Sequence, residues 1–146
     1  MSTYLLDVNV LIALLDPAHI NHNAAHRWFA KVRKHQWATC PITENAVIRI
    51  LSNPSYPSVD WMPNQVMDHL DGFLLEKLNH VFWGDAVSLQ DNSLFDRQMI
   101  RGHKQLTDIY LLGLVVKRAS KLTTFDRSIP RQAVRGASED HLELLN

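Results

Sequence analysis

The chain has 146 residues, 46% hydrophobic and 21% charged, with equal numbers of acidic and basic side chains. These are the proportions of a globular protein and not of a disordered one, and the length suits a single domain over residues 1–146. One cysteine, Cys40, leaves no internal disulfide, and the longest apolar run, Val10 to Leu15, is far too short to cross a membrane. With no basic lead at the N-terminus, and Asp7 interrupting any signal-peptide core, the expectation is a cytoplasmic protein.

The elements follow in chain order. Residues 3–7 read as a short buried strand closed by Asp7, and 8–15 as a short apolar helix. Residues 21–35 place Ala25, Trp28, Phe29 and Val32 on one face of an amphipathic helix. A second strand is expected over 36–40, then a helix opened by Pro41 and ended before Asn53 and Pro54. The proline-rich stretch 52–63 reads as a loop. Residues 64–78 read as a helix with Val66, Met67, Leu70, Phe73, Leu74 and Leu78 on its apolar side. A third strand is expected over 80–84, a helix over 93–102, and a buried helix over 107–120. A strand over 121–125 closed by Asp126 follows, and 141–145 suits an edge strand. Strands alternating with helices imply a parallel sheet covered on both faces, whose ligands bind beyond the carboxyl ends of the strands.

Charge is unevenly spread. From Arg97 to Arg135 there are nine Lys/Arg and two acids, Asp108 and Asp126, whereas residues 1–96 hold six basic and ten acidic side chains. Such asymmetry hints at a polyanion partner, although a solvated basic face explains it equally well. The two acids inside the basic third matter more. Asp7 and Asp126 fall at strand carboxyl ends, while Glu44 and Asp108 fall in the first turns of helices. Singly, each has a plain role as a cap, a turn residue or a partner of the helix dipole. Together they would bring four carboxylates to one end of a sheet, where mutual repulsion calls for a counter-ion. Oxygen ligands without a Cys or His cage favour Mg²⁺ or Mn²⁺ over Zn²⁺. Such a centre suits hydrolysis of a phosphodiester by a metal-activated water, with Lys and Arg on the flanking phosphates.

Four segments, "LLDVNVLIALLD", "ITENAVIR", "LTDIYLLGLVV" and "LTTFDRSI", resemble in order and spacing the motifs of the PIN-domain family, and in particular of VapC-type toxin ribonucleases. "HxxAxxWF" at His22 to Phe29 adds to the likeness. The resemblance covers about residues 3 to 130. It implies a three-layer α/β/α PIN-like fold with a central, mainly parallel sheet of four to five short strands. It also implies Mg²⁺-dependent endoribonuclease activity on single-stranded or structured RNA such as tRNA or rRNA loops. By motif match Asp7, Glu44, Asp108 and Asp126 would be the acidic quartet, Asp7 and Asp108 the direct metal ligands, and Asn9 and Thr124 supporting polar groups. Arg97, Arg101, Lys104 and Arg127 are candidates for RNA phosphates. The resemblance further implies a homodimer and a VapB-type antitoxin partner.

Three rival readings are weaker. A haloacid-dehalogenase-type phosphotransferase wants a second Asp where this chain has Asn9, and a phospho-receiver domain wants paired acids and a late Lys. A catalytically inactive PIN-like module that only binds RNA or protein should have lost an acid. His22 and His26 share a helix face but lack the Glu of a zinc-protease motif. Trp61, in the proline loop, is the tryptophan best suited to a functional contact; the others suit the core or an interface.

Overall fold

In the computed structural model, which describes residues 3–76 and 78–146, the first apolar run is the central strand. β1 (Tyr4–Leu6) pairs in parallel with β2 (Trp37–Thr39) on one side and β4 (Lys121–Thr124) on the other. β3 (His80–Phe82) lies outside β2, and β5 (Leu142–Leu144), the expected C-terminal edge strand, lies outside β4. The order is β3-β2-β1-β4-β5 and every pairing is parallel.

The twofold alternation of the strands sorts the core. Leu5, Ala38 and Leu122 stand in register and feed one cluster, built largely from α5 (Leu106–Lys117). Leu6 and Trp37 face the other way, into a cluster with α1 (Val8–Leu15), α2 (His22–Val32), α3 (Pro41–Leu51) and α4 (Pro63–Glu76). The result is the expected three-layer α/β/α sandwich. Among the described residues no helix is long and apolar enough to cross a membrane.

Local chemistry sets the helix ends. Asp7 caps α1, and Pro41 takes the first position of α3, where a missing N–H costs nothing. The carbonyls that end α1 are satisfied from α2. His22 Nδ1 lies 2.7 Å from Ala13 O, and His26 Nε2 lies 2.9 Å from Leu14 O. The two histidines therefore tie one helix to the next, which accounts for their spacing without a metal. Helix α5 is buried from Ile109 through Val115, as its all-round apolar sequence requires.

Two expectations need correction. Residues 93–102 do not form a helix; they hold a turn, a bridge at Phe95 and a single 3-10 turn at Arg97–Met99. Asp91 accepts from the backbone and hydroxyl of Ser93, and backbone bonds from Asp96 N to Ala133 O and from Arg135 N to Leu94 O pull the chain out straight. Helix α4 ends before Leu78, which is 80% exposed in a turn, and Met67 is 49% exposed. The working stripe is Val66 and Leu70, with Phe73 and Leu74 beside it.

From β1 the chain winds outward to β2 and β3, then crosses back to the far side of β1 as β4 and continues to β5. The crevice at the carboxyl ends of β1 and β4 is thus a topological switch point, the place where open parallel sheets bind ligands. Helix α5, which delivers β4, packs closely at Gly113. A Cβ there would lie 2.3 Å from Cζ of Phe95, which is itself 1% exposed. Gly113→Ala should therefore destabilise the protein by about 1–3 kcal/mol through overpacking, read as a lower urea midpoint with an unchanged slope.

Candidate active site

Asp7 stands where β1 hands over to α1 and is 3% exposed. Its two oxygens are divided: Oδ1 accepts from Val8 N at 2.7 Å, and Oδ2 accepts from the hydroxyl of Thr124 at 2.8 Å. Thr124 ends β4, and its hydroxyl has no capacity left. It donates to Asp7 and accepts from Asn9 Nδ2 at 3.1 Å and from Asp126 N at 3.0 Å. Asn9 also accepts from Phe125 N through Oδ1 at 3.2 Å. One hydroxyl thus joins the first and last motifs.

Asp126 turns the chain after β4. Its Oδ1 accepts from the backbone and hydroxyl of Ser128 at 2.8 and 2.6 Å. Asp108 lies in the first turn of α5. Asp7, Asp108 and Asp126 line one open cleft of about 320 Å³ with Asn9, Thr107, Ile12 and, from α3, Ala46, Arg49 and Ile50. Three of the four predicted acids come together. Glu44 does not line this cleft: its Oε2 accepts from Thr39 Oγ1 at 2.6 Å, and the same hydroxyl lies 2.7 Å from His80 Nε2. With the hydroxyl proton given to Glu44, Nε2–H of His80 is the donor to Thr39.

The electrostatics match the crowding. Burial pushes the Asp7 carboxyl up, against the hydrogen bonds from Thr124 and Val8, and Asp126 adds repulsion. Asp108 is raised to about 7, by burial first and then by the charges of Asp7 and Asp126 and its hydrogen bond to Asp126. Asp126 is held low by the two Ser128 bonds, which outweigh its partial burial, and by Asp108. Below about pH 7 the Asp108–Asp126 pair therefore holds a proton, and it resides on Asp108. The cleft has gathered more carboxylate than it can ionise alone.

That donor set fits a hard divalent cation. Among the described residues no three His, Cys, Asp or Glu side chains close around a point that an ion would fill. An ion here would accordingly be held by one or two carboxylates and complete its shell with water and phosphate oxygens, a common arrangement for small hard cations.

Of the predicted phosphate binders, Arg97 reaches Gln90 O at 3.4 Å and Arg127 bonds Asn146. Arg101 lines a separate cavity with Met99, Gln105, Pro130 and Gln132, and Lys104 is exposed in the 3-10 turn before α5. Trp61 stacks on His69 at 4.2 Å and packs against the core, so it anchors the proline loop. Trp28, Trp37 and Trp83 are buried. Arg49 is the cleft residue that charge counting missed, because it lies in the acid-rich part of the chain. The readable signal was helical spacing: Ala46, Arg49 and Ile50 share a face at i, i+3 and i+4.

An α/β/α sandwich with an acid-lined switch point is the architecture that the PIN-domain resemblance implies. No family model matches the chain. It is similar to Ribonuclease VapC44 of Mycobacterium tuberculosis, 42% identical over 97% of this chain and 98% of that one. It is also similar to Ribonuclease VapC39 of the same organism, 40% identical over 94% and 98%. Its fold matches VapC20 of M. tuberculosis, a sarcin–ricin-loop-cleaving toxin, with a TM-score of 0.63, 12% identity and coverage of 86% and 92%. It also matches VapBC2 of Rickettsia felis bound to a fragment of promoter DNA, with a TM-score of 0.62, 14% identity and 99% of both chains covered. The chain belongs to the VapC ribonuclease family, and membership implies a divalent metal cofactor.

Two measurements test the site's construction. Adjacent threonines on β4 form a matched pair: Thr124 Oγ1 makes three hydrogen bonds, whereas Thr123 Oγ1 is buried with no partner among the described residues. Thr124→Val should cost about 2–4 kcal/mol in urea unfolding, and Thr123→Val should be neutral or slightly stabilising. The second concerns pH. Folded Asp108 keeps its proton up to about pH 7, against 3.8 for the ordinary group. Between those values the folded state binds the extra proton, so the stability of chelator-treated protein should fall as pH rises through that window. Asp108→Asn should make the profile shallower there, leaving the share of Asp7, which is also raised, whereas Asp126, held low, contributes only below its ordinary value.

Proposed function

We propose that this protein is a Mg²⁺-dependent endoribonuclease toxin that cuts phosphodiester bonds in loops of structured or single-stranded RNA at the cleft of Asp7, Asp108 and Asp126. The observation that carries this reading is the convergence of three carboxylates, from β1, α5 and the β4 turn, on one open cleft with a surplus of negative charge. Mg²⁺ is favoured over Mn²⁺ by ordinary availability and over Zn²⁺ by an all-oxygen donor set. Asp7 and Asp108 are the proposed ligands. When bound, the ion supplies activation of water and neutralisation of the phosphate's developing charge.

The protein's own residues do the positioning. Thr124 and Val8 fix the direction of the Asp7 oxygens, and Asn9 and Ser128 hold the turn that carries Asp126. As a ligand Asp108 would have to be ionised, so cation affinity should rise with pH up to about 7. Glu44 stands apart from this set, with Oε2 bonded to Thr39.

The named relatives support the rest of the proposal. VapBC2 is bound to a DNA fragment from its promoter, and VapC20 is a sarcin–ricin-loop-cleaving toxin. By analogy this chain works in the cytoplasm as one domain, forms a homodimer and is restrained by a VapB-type antitoxin.

The test is digestion of total cellular RNA by antitoxin-free protein with Mg²⁺, with Mn²⁺ and with EDTA, beside identically purified Asp7→Asn and Asp108→Asn. Discrete fragments that require the metal, with a loss of at least about 100-fold in each variant, are expected. Equal fragments from the variants, or none from wild type across tRNA and rRNA, would leave a binding module instead.

A further inference from the structure

The carboxylate cleft has a neighbour on the far side of Arg49. A second cavity of about 380 Å³ lies between α3 and the start of α5, lined by Pro41, Ile42, Asn45, Ala46, Arg49 and Thr107. Ala46, Arg49 and Thr107 also line the carboxylate cleft, so the two cavities adjoin along these residues. Arg49 is the basic side chain common to both.

Its bonding is unusual for that position. A guanidinium beside three carboxylates would be expected to bridge one of them, yet the ion pair found among the described residues is Arg135 with Asp96 at 4.0 Å. Arg49 is instead steadied within its own helix, with Nη1 3.3 Å from Asn45 Oδ1, and it stays exposed. Four of its five N–H donors are left for an anion that arrives from outside. Asn45 has its amide oxygen committed to Arg49, so what it offers a ligand is its NH₂. Pro41 and Ile42 give the far end of the groove an apolar floor.

We propose that Arg49 binds the phosphate next to the one being cut, and that the Pro41–Ile42–Asn45 cavity seats the flanking nucleotide of a single RNA strand. The assignment rests on the carboxylate cleft being the place of RNA cleavage. Charge and shape both fit it. A guanidinium fork matches phosphate oxygens and is lightly hydrated, so it gives up water cheaply for such a contact. An unstacked base needs an apolar surface and a few edge donors, which Ile42, Pro41 and the Asn45 amide supply. A peptide segment of a partner protein is the competing occupant. It would leave the guanidinium beside the reacting cleft without a part in catalysis.

The substrate for the test is a single-stranded RNA oligonucleotide copied from the site mapped in the cellular-RNA digest. Arg49→Gln should lower kcat/KM about 10- to 100-fold, mainly through KM, with the thermal midpoint unchanged. In an Asp7→Asn background, which binds without cutting, Arg49→Gln should reduce the slope of log K against log salt by about 0.7, the release due to one phosphate contact on a single strand. Arg49→Lys should retain that slope while recovering only part of the affinity. An abasic residue beside the cut, on one side only, should slow the wild type severalfold.

Unchanged kinetics and salt slope in Arg49→Gln, with wild-type cleavage intact, would overturn this assignment and leave the cleavage reading standing. So would abasic substitution without effect on either side, for the base seat. Unchanged RNA kinetics with weakened antitoxin binding would give the groove to a protein partner. Absence of cleavage by wild type would remove both readings together.

Discussion

A carboxylate with 3% exposure at the end of the central strand is the constraint around which this molecule is arranged. Burying an ionisable group costs several kcal/mol unless hydrogen bonds replace the lost water. Here they come from two directions. Val8 supplies a backbone N–H from α1, and Thr124 supplies a hydroxyl from β4. The bond from Asp7 N to Thr123 O at 2.9 Å continues the β1–β4 ladder to the same point. Register, helix start and acid orientation are therefore one requirement. A slip of β4 by one residue would replace Thr124 with a side chain on the other face of the sheet and leave Asp7 without its second partner.

The three acids of the cleft divide their labour through environment. Asp7 is rigid and enclosed. Asp126 is half-buried and kept ionised by Ser128, and burial and crowding raise Asp108, as burial raises Asp7. Identical functional groups become distinct because their hydrogen-bond donors differ, a common way to separate roles within one site. The same partition bears on Arg49. With Asp108 raised to about 7, it is neutral below that pH, and part of the local negative charge that would draw the guanidinium inward is then gone, consistent with its tie to Asn45 instead.

Legibility in the sequence followed periodicity and punctuation. The strands and the five long helices were readable because apolar alternation or the 3.6-residue stripe coincided with Asp7, Pro41 and the Asn53–Pro54 stop. Residues 93–102 misled because their helical look is local, whereas their conformation is set by a bridge to Val134, about forty residues away, and by Phe95 filling the space beside Gly113. Three of the acids were legible as a group because each follows or opens an element at the same sheet end. Arg49 was not, since its helical spacing with Ala46 and Ile50 marks a face but does not say that the face lines a cleft until α1 and α5 are laid against it.

Glu44 shows where motif position and geometry part company. It lies two residues before Ala46, about 200° around α3, so the face that brings Ala46, Arg49 and Ile50 to the cleft turns Glu44 away from it. Side chains in a first helical turn also lean toward the helix N-terminus, and that lean carries Glu44 to the end of β2. There it meets the fully buried Thr39 hydroxyl and, through it, His80 of β3. Burial outweighs the pull of Glu44 and keeps the His80 ring below its ordinary range, favouring the neutral imidazole that donates one N–H. The chain Glu44–Thr39–His80 thus ties α3 to the outer half of the sheet just as Asp7–Thr124–Asn9 ties α1 to the inner half.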